Sequence, residues 1–106
     1  MKIIAYNVPE NRAESEFNNL GDALKFIISR NSNMIGLRLK NNGLKIAIAR
    51  TNSDTHHGIG IDANPEIDTQ VSEKNPVTHI QLYQDTQWLI NEGIQIGDIR
   101  NLDMRR

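Results

Sequence analysis

The chain is predicted to be an α+β domain: a mainly antiparallel sheet of about five strands, with one helix packed on one face and a short C-terminal helix. Three observations lead there. Ile35, Leu37 and Leu39 alternate with Gly36, Arg38 and Lys40, and beyond Asn41-Asn42-Gly43 the alternation resumes with Leu44, Ile46 and Ile48, which is period two on both sides of a turn. Phe17, Leu20, Leu24, Ile27 and Ile28 recur at the spacing that lines one face of a helix. Finally, 106 residues with 38% hydrophobic content give one modest core, hence a single domain over 1–106.

In chain order, Lys2 to Asn7 reads as a first strand closed by Val8-Pro9. Glu10 to Glu16 is polar and predicts a loop. The helix follows over Phe17–Ile28, with Asp22, Lys25 and Arg30 off its apolar face. Either Ser15 or Asn19 caps it; the second option puts Asp22 at the positive end of the dipole, and Gly21 weakens the first by about 1 kcal/mol. Asn31-Ser32-Asn33 ends the helix and leads into the hairpin.

Asn-Gly suits a two-residue type I′ turn, in which both central residues need positive φ. With Asn42 and Gly43 in those places, Asn41 faces Leu44, Lys40 faces Lys45, Leu39 faces Ile46 and Leu37 faces Ile48, and every large aliphatic falls on one side. The other side then carries Arg38, Lys40 and Lys45 together, and like charges paired across strands destabilise a sheet. Neutralisation comes either from solvent or a carboxylate elsewhere in the chain, or from an acidic partner or a phosphate.

Past a polar link at Thr51–Asp54, His56–Asp62 is predicted as a third meander strand, with His57, Ile59 and Ile61 on the aliphatic face. The outer face would then present Gly36, Ala47, Ala49, Gly58 and Gly60, a floor of small side chains covered by another part of the chain or left open for a partner. Ala63–Pro76 has no periodicity and carries Asp62, Glu66, Asp68 and Glu73 at or near its edges against Lys74, so it reads as an acidic loop suited to a basic partner. Val77–Tyr83 is a further strand, with Ile80 and Leu82 on one side and Val77, His79 and Gln81 on the other. A short helix through Trp88, Leu89 and Ile90 follows, capped by Asp85 and ended by Gly93 as a left-handed C′ residue, with Ile94 packing back on its last turn. Ile94, Ile96 and Ile99 suggest a brief terminal strand, and Asn101–Arg106 a frayed tail.

Composition excludes several functions. With 12 Lys+Arg against 13 Asp+Glu the net charge is −1, so no global field draws the chain to nucleic acid or anionic membrane. The absence of cysteine removes disulfides, thiolate metal sites and thiol catalysis. No signal peptide or spanning segment is apparent, and a cytoplasmic protein without cofactor or metal is expected. Chemistry, if any, falls to His56 and His79, whose parity puts them on one face, with Asp54 or Asp62; adjacent His56 and His57 point to opposite faces and cannot readily share an ion. Nucleic-acid binding would rest on Arg38, Lys40, Lys45 and Arg50, a small patch with no aromatic beside it to stack on bases.

The opening MKIIAYN strand, the FNNLGDALKFI helix, the LRLKNNGLKIAIAR hairpin and the late TQWLINEGIQIGDI segment together resemble small immunity proteins of contact-dependent inhibition and other polymorphic toxin systems. Many of those end on a tryptophan-bearing strand, whereas Trp88 lies in the predicted helix. The resemblance implies a cytoplasmic inhibitor that plugs a cognate toxin, often a nuclease, with Asp62, Glu66, Asp68 and Glu73 as phosphate mimics; apart from it, the segregation of these carboxylates from Arg38, Lys40 and Lys45 on the hairpin suits a small protein-binding module whose partner carries the complementary pattern. The alternatives are a small phosphate-directed enzyme using His56, His79 and a carboxylate such as Asp54, and a phage-type inhibitor or nucleic-acid-binding protein.

Overall fold

The computed structural model describes residues 2–50, 60–63, 77, 79–84 and 86–97, with the backbone alone at 60–63, 79 and 86. Six strands and two helices occur among them: β1 (Ile3–Asn7), β2 (Arg12–Phe17), α1 (Leu20–Arg30), β3 (Ile35–Leu39), β4 (Lys45–Arg50), β5 (Gly60–Ala63), β6 (His79–Leu82) and α2 (Thr86–Asn91). The strands form one sheet in the order β2-β1-β3-β4-β6-β5. Five run antiparallel to their neighbours, and β5 joins the far edge parallel to β6. The predicted class is therefore the observed one: a mainly antiparallel sheet, a helix on one face and a short C-terminal helix.

The helix packs where its sequence spacing requires. Leu20, Ala23, Leu24 and Ile27 are fully buried against the inner face of the sheet, above β1, β2 and β3. Ile3, Ala5, Ile35, Leu37, Leu39, Ala47, Ala49, Ile80 and Leu82 meet them, and Leu89 and Ile94 complete the same core. Asn19 is the N-cap: its side chain accepts from the Asp22 amide at 2.8 Å, which decides between the two predicted starts. Asn31, at φ 51°, ends the helix in the left-handed conformation, and its Oδ1 accepts from the Val77 amide. Gly93 closes α2 as expected: at φ +85° it donates to Ile90, while Ile94 donates to Leu89 and is buried. The following segment makes an isolated parallel bridge from Gln95 to Asn19, and the carbonyls of Gln95 and Ile96 accept from the amides of Leu20 and Gly21.

Four details depart from the sequence reading. First, Arg12–Phe17 is a strand, where the sequence predicts a loop to Glu16 and a helix from Phe17; the helix instead begins at Leu20, and β2 is an edge strand whose Arg12, Glu14 and Glu16 find charged partners instead of a hydrophobic face. Second, the hairpin register is shifted. Only Gly43 has positive φ in the turn, so Lys40–Gly43 forms a longer loop, closed by Gly43 and Leu44 bonding to Leu39. A bulge then pairs Arg38 with Lys45 and Leu37 with Ala47, in place of Lys40 with Lys45 and Leu37 with Ile48. Third, Ala47 and Ala49 face the core, so they do not belong to an outer floor of small residues, while Ile48 is buried on the outer face opposite Gly36. Fourth, β6 rather than β5 lies beside β4, and Val77, expected opposite Ile80, is buried in the same core as it. The expectation that every large aliphatic of the hairpin falls on one side therefore fails at Ile48, although Leu37, Leu39, Ile46 and Ile48 are all buried and Lys40 and Lys45 are exposed.

Candidate functional site: the outer face of the hairpin

Cross-strand partners share a face, so the register fixes what the outer side of the sheet displays. One row runs across all six strands as Ala13, Tyr6, Gly36, Ile48, Gln81 and Asp62. The next runs Glu16, Ile4, Arg38 and Lys45. On the other side of the long row, Arg50 pairs with His79 and His79 with Gly60.

Tyr6 organises this face. Its ring lies over Gly36 so closely that a Cβ there would stand 2.9 Å from the phenol carbon and oxygen, which makes glycine the residue that fits. Above the ring sits the Arg38 guanidinium, 4.6 Å from its centroid, and the same guanidinium donates to Asn11 Oδ1 at 2.5 Å. Tyr6 is 4% exposed as a result. Burial pushes its phenol above the ordinary range, and the Arg38 charge pulls weakly the other way.

The cations of the hairpin divide into two groups. Lys40 is neutralised from β2: its Nζ lies 3.0 Å from Glu16 Oε1, and Lys2 approaches the other oxygen at 3.7 Å while donating to Asn18. Hydrogen bonding from Lys40, with the charges of Lys40 and Lys2, holds the Glu16 carboxyl below the usual carboxylate range against a smaller opposing effect of desolvation. Arg38 and Lys45 form the second group. No ion pair to either occurs among the described residues. Elsewhere on β2, Glu14 pairs with Arg30, which also lies over the Phe26 ring.

Of the residues singled out from the sequence, Arg38, Lys40 and Lys45 are thus brought to one end of one face. Asp62 lies on the β5 backbone at the far edge of that sheet. Glu66, Asp68, Glu73, Asp54 and His56 lie outside the described residues, as do His57, Gly58, Asp85, Ile99 and the tail. The strand of His79 does lie beside the strand that follows His56, with Gly60 as the partner of His79, and this is as far as the described backbone carries the histidine pair. Among the described residues there is no cluster of His, Asp and Glu able to hold a metal ion. No helix among them is long and apolar enough to cross a membrane.

Comparison with protein families, with characterised proteins and with solved structures gives no match to this chain. Tyr6, Gly36, Asn11 and Glu16 were not read as site residues from the sequence. An aromatic facing a glycine is a recognisable cross-strand pair, but it becomes visible only once β1 is known to lie beside β3 in this register.

Proposed function

We propose that this chain is a protein-binding inhibitor and, within that class, an immunity protein that neutralises a cognate toxin by covering its working surface. The observation that supports this reading most is the pairing of Arg38 with Lys45 on a solvent-facing hairpin, with no carboxylate at either among the described residues. Such a pair weakens the isolated sheet. The same chain supplies Glu16 to Lys40 at the end of the same strand pair, so the fold has the means to neutralise cations it does not need for recognition. A charge arrangement that costs stability on a rigid surface serves binding, where complementary potential sets register and speeds encounter.

On this reading Arg38 and Lys45 meet acidic residues of the toxin, and the acidic stretch carrying Asp62, Glu66, Asp68 and Glu73 meets its basic cleft. The partner is sought first as the product of the adjacent gene. Co-expression of that product with this chain restores growth, and the two proteins elute together as a stoichiometric complex on size exclusion. If the adjacent product forms no complex and growth is not restored, the proposal fails.

A further inference from the structure

Resting on the reading above, we infer that Arg38 and Lys45, and not Lys40, form the contact that takes a carboxylate side chain of the partner protein. The two outward cations nearest each other in the register differ in preparation. Arg38 is preset: its guanidinium is stacked on Tyr6 and held by Asn11 through one nitrogen. A guanidinium has five N–H donors in a planar fork, so this arrangement fixes its plane and leaves donors for a second ligand. Fixing the plane in advance removes the rotamer entropy that a free arginine loses on binding. Lys45, rooted on the next strand directly opposite, is exposed and supplies a flexible second charge.

Lys40 is unsuited to the role, because Glu16 already occupies it. A ligand there would have to displace a formed ion pair, whereas among the described residues no ion pair to Arg38 or Lys45 stands in its way.

A protein carboxylate fits better than a nucleic-acid phosphate. The aromatic nearest these cations, Tyr6, is buried beneath Arg38 and has no face left for a base. Two cations are also few for a polyanion, whose affinity grows with the number of phosphates neutralised, and the net charge of −1 adds no attraction at long range.

The test is a titration of the isotope-labelled protein at low salt, followed by NMR, with hexaglutamate as the carboxylate probe and oligothymidylate as the competitor class. Hexaglutamate is expected to shift the Arg38 side-chain Nε–H and the Lys45 amide. Its dissociation constant should rise about tenfold in Lys45→Ala and by a similar factor in Arg38→Lys, which keeps the charge but loses the planar fork. Lys40→Ala should leave it within about twofold. The inference is overturned by any of three results: no shift at Arg38 or Lys45, equal weakening in Lys40→Ala, or tighter binding of oligothymidylate than of hexaglutamate. Because the probe is not the toxin, these outcomes are independent of the co-expression result. A complex that forms with the adjacent gene product and is indifferent to Lys45→Ala removes this contact while leaving the inhibitor reading in place.

Discussion

Tyr6 and Gly36 act as a matched pair, and each is intelligible only through the other. An alanine at position 36 would set its Cβ 2.9 Å from a ring that is buried and pinned from above by Arg38, so the ring has to move and the stack opens. Gly36→Ala is expected to cost about 1–3 kcal/mol in denaturant unfolding, and much less in a Tyr6→Leu background, because losing the ring removes the clash that the alanine creates. The phenol adds a pH signature. Its folded pKa lies above the ordinary 10.0, so in the window above that value the unfolded chain has released a proton that the folded chain keeps. Stability attached to this group is therefore complete below the ordinary value and is lost as the pH rises through the window. Tyr6→Phe should flatten that alkaline decline while preserving the ring on Gly36, and unfolding midpoints of the two proteins across alkaline pH measure it.

At the scale of elements, what was legible in the sequence is what local chemistry specifies. α1 follows from apolar spacing and from Asn19, and the end of α2 follows from Gly93 and Ile94. The first four amides of α1 are all satisfied: Asp22 and Ala23 by Asn19, Leu20 by Gln95 and Gly21 by Ile96. Half of that capping comes from residues more than seventy positions away, which no local pattern announces. Asn19→Ala removes the acceptor for Asp22 and also the side chain against which Gly97 packs, so a loss of about 1 kcal/mol is expected, with Asn19→Ser closer to the parent; thermal unfolding distinguishes them. β2 was illegible for a different reason. Arg12, Glu14 and Glu16 recur at every second position, but as charged rather than apolar residues; Arg12 pairs with nearby Glu10, and the partners of the two glutamates, Lys2, Lys40 and Arg30, come from other parts of the chain. The hairpin was located correctly and registered wrongly because Asn42-Gly43 satisfies two loop lengths. The choice fell to the bulge that buries Ile46 and Ala47 in the same core, an outcome set by packing and not by the turn.

For the whole molecule, strand order is set by packing. Nothing in the parity of β5 or β6 states which lies next to β4; inserting β6 there brings Ile80 and Leu82 opposite Ala49 and Ala47, where small residues make room for large ones, and sends β5 to the edge. The sequence reading of a cationic hairpin survives this rearrangement, although the opposed pair proves to be Arg38 with Lys45 instead of Lys40 with Lys45. That change of partner lets stability and the proposed binding be tested separately. Lys45→Glu turns a repulsive cross-strand pair into an attractive one, and should raise the stability of the isolated protein by a few tenths of a kcal/mol up to about 1 kcal/mol, more at low salt than at high. If the hairpin exists to meet an acidic partner, the same substitution places a carboxylate against carboxylates and should abolish complex formation and growth rescue. Lys40→Glu makes the reciprocal control: it sets two carboxylates beside each other at Glu16 and should lower stability, with a smaller effect on binding. Melting curves and co-elution measured on the same two variants decide the matter. A Lys45→Glu protein that is both more stable and fully protective would show that the cationic pair is not a recognition surface, because its repulsion would then serve neither fold nor partner.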